Sequence, residues 1–289
     1  MPSRQQIKQR ISSVKNTKQI TRAMQLVAAS KLKRAQDAAV GPTQYAVLAR
    51  EILTRLRHVA AHDSELGLFT ERPVKTRLLI VIASDLGLAG AYDSNVLRRM
   101  IEEIKADRDA GIKTEVITIG RKAAHAASHI SGVEVEATYQ EIADKPSADS
   151  IRPILFSIIG KFADHSVDAV DIIYTHFLST ITQKVAVQRL LPAGFQEVEL
   201  PGSAIEADIE PSAELLVRVA TERLIESQIY QALLDAKASE HSSRMLAMKS
   251  ATDNASDLID DLTLVFNNAR QAAITQELAE ITGGAEAMK

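Results

Sequence analysis

The sequence predicts a mixed α/β chain, with two long terminal helices flanking a central domain built on a mainly parallel sheet. Three observations carry that prediction. Neither Gly nor Pro occurs from Ser3 to Val40 or from Ser212 to Thr282. Between these runs, short apolar segments alternate with amphipathic ones, the texture of parallel strands joined by helices. Charge then assigns the two ends to each other. Residues 1–40 carry nine bases against Asp37 alone, a balance of +8, while residues 212–289 carry seven bases and twelve acids, a balance of −5. Helices of opposite charge pair in preference to self-association, so the ends are predicted to form a long antiparallel coiled coil.

The elements follow in order. The first helix carries an apolar stripe through Ile7, Ile11 and Val14, then Ile20, Met24 and Val27, a heptad-like seam with a break of phase expected near Asn16-Thr17. Gly41-Pro42 predicts a kink, after which Tyr45, Leu48, Ile52 and Leu56 resume helical spacing. Strands are expected at 77–84, 115–119, 133–136, 169–174 and 183–191, and helices at 94–109, 121–129 and 150–164. That alternation is Rossmann-like. Pro192 to Gly202 reads as a hinge loop.

Pro211 and Gly283-Gly284 are start and stop signals for the last helix. Its stripe runs Leu215, Val219, Leu224, Ile229, Leu233, then Met245, Met248, Ala255, Ile259, Leu262 and Phe266. As continuous helix the Gly- and Pro-free run would span about 106 Å. A rod of that length cannot fold back into an ordinary core and needs a partner helix or a sleeve. The predicted boundaries are 1–57 for the first helix, 74–192 for the α/β domain and 208–289 for the last helix. The last helix outruns the first by roughly 16 residues, about 25 Å. Its tip, Asn267 to Glu277, is Ala-rich and polar. Alone it would be marginal, so something outside the chain must enclose it.

Composition removes several classes of function. Hydrophobic residues make up 46% of the chain, enough for a packed core. Aromatics make up only 4%, with no Trp, which favours close helix packing over a large aromatic pocket. There is no Cys, so disulfides, thiolate metal sites and a cysteine nucleophile are excluded. No apolar run approaches the roughly 18 residues of a membrane span, and the opening Met1-Pro-Ser-Arg-Gln-Gln has no apolar signal core. A soluble, intracellular chain is expected.

Candidate sites are few. Ser84-Asp-Leu-Gly-Leu-Ala-Gly90 falls at a strand end before a helix, where α/β folds bind phosphates. It is neither the dinucleotide fingerprint nor a P-loop, so a structural turn is the favoured reading. His58/His62 and His125/His129 have i, i+4 spacing but no adjacent Glu to complete a metal set. Asp260-Asp261 lies on a solvated helix face, without the apolar setting that tunes a catalytic pair. The basic first helix could meet nucleic acid or an anionic surface, but the acidic last helix gives it an internal partner. No active site, cofactor or metal site is predicted.

Four segments carry a family resemblance: Ile7 to Ala35, Ser84 to Gly90, Glu240 to Ala255, and Ile274-Thr-Gln-Glu-Leu-Ala-Glu-Ile-Thr-Gly-Gly-Ala285. In that order they resemble the γ subunit of F-type ATP synthases of bacterial type. Leu86 and Ala89 depart from a pattern in which other members often carry a basic residue and a Cys. The redox-regulatory cysteine insertion of the chloroplast versions is absent. Phe195 to Glu210 matches less clearly.

The resemblance implies a rotor shaft, non-catalytic on its own, inside a hexamer of alternating α and β subunits that holds the catalytic sites. The α/β domain would be its foot on the c-ring, beside the ε subunit. It also implies a regulatory inhibitor subunit as a further partner, no nucleic acid, and a peripheral place on the cytoplasmic face of the bacterial inner membrane. By residue matching, Arg270 and Gln271 would touch catalytic-subunit loops at the tip, with Thr275 and Glu277 beside them. Met24, Lys31, Lys33 and Arg34 would face acidic lever segments lower down; antiparallel pairing of the two helices is separately expected to place Met24 near Arg244.

Overall fold

A computed structural model describes residues 3–55, 67–193 and 213–287. In chain order the elements are α1 (Arg4–Arg55), β1 (Thr76–Ile82), α2 (Tyr92–Asp109), β2 (Lys113–Ile119), α3 (Arg121–Ala127), β3 (Glu134–Tyr139), α4 (Ala148–Ala163), β4 (Ala169–Phe177), β5 (Gln183–Leu191) and α5 (Ala213–Ala287). His58/His62 and the Phe195–Glu210 loop lie outside the described residues. The chain divides into two compact units, one of residues 1–28 with 244–289 and one of residues 29–243.

In the first unit the N- and C-terminal helices pair. Ser3 opens α1 with a reciprocal cap: its Oγ accepts from the Gln6 N–H, and Gln6 Oε1 accepts from the Ser3 N–H. Burial along α1 then follows an unbroken heptad through Ile7, Ile11, Val14, Lys18, Thr21, Gln25 and Ala28. The expected break near Asn16-Thr17 does not occur. The seam instead accepts polar residues, and Thr252 Oγ1 donates to Thr21 Oγ1 at 2.8 Å in a buried contact. Ile20 and Val27, expected in the seam, are 60% and 57% exposed.

On α5 the facing heptad is Thr252, Ala255, Ile259, Leu262, Phe266, Ala269 and Ala273. Antiparallel register from the Thr21–Thr252 contact sets Met24 opposite Lys249 and Ile7 opposite Phe266. The helical part of α1 ends opposite Ala269. Beyond Ala273 every described side chain of α5 is exposed. The bare tip is therefore about 18 residues, or about 27 Å. It runs past the expected stop, because α5 continues through Gly283-Gly284 to Ala287. Glycine permits a left-handed cap but does not impose one, and nothing lies within 4 Å of where a Gly283 Cβ would sit. With no tertiary contact there to favour a turn, the backbone ladder simply continues.

The second unit is a three-layer α/β domain. The sheet order is β3-β2-β1-β4-β5, parallel except for the antiparallel β4–β5 pair. Central β1 is buried on both faces, as expected of a strand that reads as a continuous apolar run. Leu79 and Val81 pack with Val96, Met100 and Ile104 of α2 and Ala123 of α3. Leu78, Ile80 and Ile82 pack on the other face against Ile154, Ile158 and Phe162 of α4.

That second face also takes Ile225, Ile229 and Leu233 of α5, which overturns the expectation that the last helix is too long to enter a core. Burying each of these side chains is worth about 1.5–3 kcal/mol, so this stretch is a core element of the domain. One end of the α5 stripe was also misread, since Leu215 and Val219 are 40% and 42% exposed. α1 is helical across Gly41-Pro42, and the side chains of the resumed stripe from Tyr45 lie outside the description.

Candidate functional site

In a doubly wound sheet, ligands enter beyond the carboxyl ends of the strands where the order reverses. Here the order reverses between β1 and β4, and the crevice next to that place, beyond the ends of β1 and β2, is filled by the chain's own atoms. Asp85 Oδ1 accepts the Arg121 N–H at the start of α3, and Asp85 Oδ2 accepts the Glu141 N–H. Asp93 takes the Ser84 N–H and the Ser84 hydroxyl. Backbone donors that could cradle a phosphate are thus already held by fixed carboxylates. Leu88 and Gly90 turn the loop with positive φ of 64° and 58°. Gly120 must be glycine, since a Cβ would lie 2.2 Å from the Ala83 oxygen at a φ of 96°. Leu233, Ala236, Lys237 and Glu240 of α5 close the crevice, leaving about 10 Å³, no more than one water's room.

A depression of about 930 Å³ lies at the opposite edge, against Arg72, Asp168, Arg189 and Leu224. Its two arginines are paired in place: Arg72 Nε stands 2.8 Å from Asp168 Oδ1, and Arg189 pairs with Asp171. Burial works against the Asp168 charge, yet the Thr76 and Lys75 N–H groups and Arg72 hold its carboxyl below the ordinary range. Between the sheet and α2, Arg77 binds Asp171 at 2.5 Å, Glu103 at 2.9 Å and Asp107 at 3.0 Å. Burial opposes that charge too, but the carboxylates hold it above the ordinary arginine value. These groups neutralise one another and leave no acid or base poised for chemistry.

His125 and His129 have ring centroids 4.6 Å apart, and His129 Nδ1 lies 2.7 Å from the His125 carbonyl oxygen. Among the described residues no three His, Asp or Glu side chains gather as a metal set. No described helix is long and apolar enough to cross a membrane.

The residues expected at partner interfaces sort into distinct environments. In the first unit Met24 is half-buried at the flank of the seam, and Arg244 is buried, 9% exposed. Arg270, Gln271, Thr275 and Glu277 are exposed on the tip, where the Thr275 hydroxyl donates only to its own helix at the Gln271 carbonyl. In the second unit Lys31 is drawn inward, its Nζ 3.1 Å from Asp144 Oδ2. Lys33 and Arg34 stay exposed, in the heptad positions that Leu26 and Val27 hold one repeat earlier.

The sequence reading missed a cluster on α5. Asp235 lies 2.5 Å from His176 Nδ1, Ser239 and Ser242 donate to the carbonyls of Thr175 and Thr180, and His241 Nε2 lies 2.7 Å from Asp144 Oδ1. Burial pushes the Asp235 carboxyl above the ordinary range, against the bonds from His176 and Gln231. A carboxyl raised on folding adds stability at low pH and loses it as pH rises through the ordinary carboxylate value to the raised one. Asp235→Asn keeps the shape and removes the buried charge. It should stabilise the chain at pH 8 and raise its melting temperature. Thermal melts should show that gain shrinking as pH falls through the carboxylate range. A variant destabilised equally at pH 8 and at the low end of that range would refute this.

One unit pairs the two terminal helices and the other is an α/β domain whose strand-end crevice is filled by its own side chains, the make-up of a rotary ATPase shaft subunit. The comparisons agree. The ATP synthase family model matches residues 3–288. The chain is 39% identical over 288 residues to the ATP synthase gamma chain of Stenotrophomonas maltophilia strain R551-3, covering all of both chains. It is 40% identical over 290 residues to that of Chloroflexus aurantiacus strain J-10-fl, covering all of this chain and 99% of the relative.

Among solved structures, a chain of the Tetrahymena thermophila mitochondrial ATP synthase central stalk and c-ring matches with a TM-score of 0.56 at 25% identity. That match covers 80% of this chain and 99% of the other. A chain of the Euglena gracilis mitochondrial ATP synthase shares the fold at TM-score 0.66 and 18% identity, covering 98% and 93%. The chain belongs to the ATP synthase γ-chain family. It is the central rotor shaft, serving ATP synthesis by a rotary mechanism without an active site of its own.

Proposed function

We propose that residues 1–57 and 208–289 form a shaft whose bare tip turns inside a ring of alternating α and β subunits, and that residues 74–192 form the foot on the c-ring beside ε. Proton flow through the membrane sector turns the shaft for synthesis, and hydrolysis turns it back. The complex sits at the cytoplasmic face of the bacterial inner membrane, with this chain peripheral. A regulatory inhibitor subunit is a further partner within the complex.

One observation supports this reading above the others. The helix pair buries Thr21 and half-buries Lys18 and Gln25 along its own seam while Ile20, Leu26 and Val27 stand 57–60% exposed. A helix pair optimised to stand alone would reverse that choice. Apolar side chains kept outside a polar seam fit an outer sleeve. The bases Lys33 and Arg34 fit acidic lever segments of that sleeve. A single asymmetric shaft cannot make the same contacts with three equivalent catalytic subunits, so each orientation favours a different conformation at each site.

At the tip, Ala269 and Ala273 give a smooth bearing and Arg270 is its one exposed cation among apolar and neutral neighbours, with Gln271, Thr275 and Glu277 on the following turns. A charge-assisted bond from Arg270 to ring carbonyls or carboxylates is worth about 1.5–3 kcal/mol. If it forms in one orientation only, Arg270→Ala slows ATP turnover of the reconstituted complex several-fold with an unchanged helical circular dichroism signal. The direct test reconstitutes the chain with α and β subunits and follows a bead fixed to the foot. Rotation under ATP is expected. A chain that neither joins the ring nor turns in it would overturn the reading.

A further inference from the structure

The second unit holds α5 by two kinds of contact. Ile225, Ile229, Ala232, Leu233 and Ala236 give one part of that contact, an apolar one with the domain core. Such burial opposes separation, but it is non-directional and gives little resistance to a helix turning about its own axis. From Asp235 to Ser243 the contact changes character. Asp235 faces His176, the Ser239 hydroxyl donates to the Thr175 carbonyl at 3.1 Å, Ser242 to the Thr180 carbonyl at 2.7 Å, and Ser243 to Gln183 Oε1 at 2.7 Å. At 3.6 residues per turn these four side chains share one arc of the helix, facing β4 and its hairpin to β5.

His241 projects from the opposite flank to Asp144, which also holds Lys31 of α1. Hydrogen bonds demand definite lengths and angles, so a helix gripped on both flanks resists rotation in either direction. Ser239 and Ser242 have no exposed surface. Their small side chains let the helix approach the strand ends closely enough to bond carbonyl oxygens.

We propose that Asp235–Ser243, with His176, Thr175, Thr180 and Asp144, is the torque-bearing joint of the rotor, where rotary load passes between the sheet domain and α5. The joint deepens the shaft reading and rests on it. Polar locking here does what apolar packing alone cannot: it keeps the angle between helix and base constant under load.

The test compares two variants in the reconstituted complex. One is Ser239→Ala/Ser242→Ala/Ser243→Ala, which removes the hydroxyls with little change of shape. The other is Asp144→Asn, which keeps an acceptor for His241 and cancels the ion pair with Lys31. Unloaded ATP hydrolysis should stay within about twofold of the parent in both. Rotation of a large bead attached to the foot, where viscous drag supplies the load, should slow at least threefold in the triple variant and less in Asp144→Asn. Loaded rotation equal to the parent in both variants would overturn the joint. Equal slowing with and without load would overturn it too, because the residues would then act on assembly or catalysis. A triple variant that does not fold leaves Asp144→Asn to decide by the same comparison. Failure of the shaft reading itself is distinguishable, since the parent chain would then show no rotation at any load.

Discussion

Replacing Ile20, Leu26 and Val27 together by Ser is expected to abolish incorporation of the chain into the ring while leaving its helices intact. The three side chains are more than half exposed, so their loss costs the isolated chain little. On docking each would be buried, and truncating a buried Ile, Leu or Val forfeits about 1.5–3 kcal/mol. Two such losses already lower affinity at least a hundredfold, and three should remove assembly at micromolar subunit concentrations. Co-purification on a tagged β subunit measures it, with circular dichroism of the free chain as control. Lys18→Leu is the informative partner variant. It makes the seam more apolar and should raise the shaft's own melting temperature without improving assembly. Full incorporation of the triple Ser variant would mean that the outward apolar positions are not where the sleeve grips.

Periodicity analysis assumes that the apolar stripe marks the face turned toward the rest of the chain. In α1 the stripe from Ile20 to Val27 belongs to the other face, and the intramolecular seam runs through Lys18, Thr21 and Gln25. A helix with two partners carries two stripes, and one sequence cannot label which is which. The apparent break near Asn16-Thr17 is the place where one stripe gives way to the other.

The central sheet was legible because its strands are buried by many local neighbours. β1, β2, β4 and β5 lie where apolar runs placed them, to within a few residues. The joint on α5 was not legible. Ser239, His241 and Ser242 read as an ordinary polar helix segment, and the groups that give them meaning lie 62 to 97 residues away. The self-filled crevice sits between these cases. The absence of a phosphate motif was readable in Ser84–Gly90, but the roles of Asp85 and Asp93 as internal anions required the fold.

The largest stability effect is expected at Arg77. This guanidinium is the shared counterion of Asp171, Asp107 and Glu103, and Asp171 and Asp107 are only 2% and 4% exposed. Arg77→Met keeps much of the buried stem and removes the charge. Asp171 retains Arg189, and Asp107 retains the Thr114 hydroxyl at 3.1 Å, yet converging carboxylates would stay in a dry layer between β1, β4 and α2. Removing one partner of a buried ion pair costs about 3–5 kcal/mol, so the α/β domain should melt roughly 6–20 °C lower. Melting curves of the parent and the variant decide it: no deficit would mean that the three carboxylates never depended on Arg77.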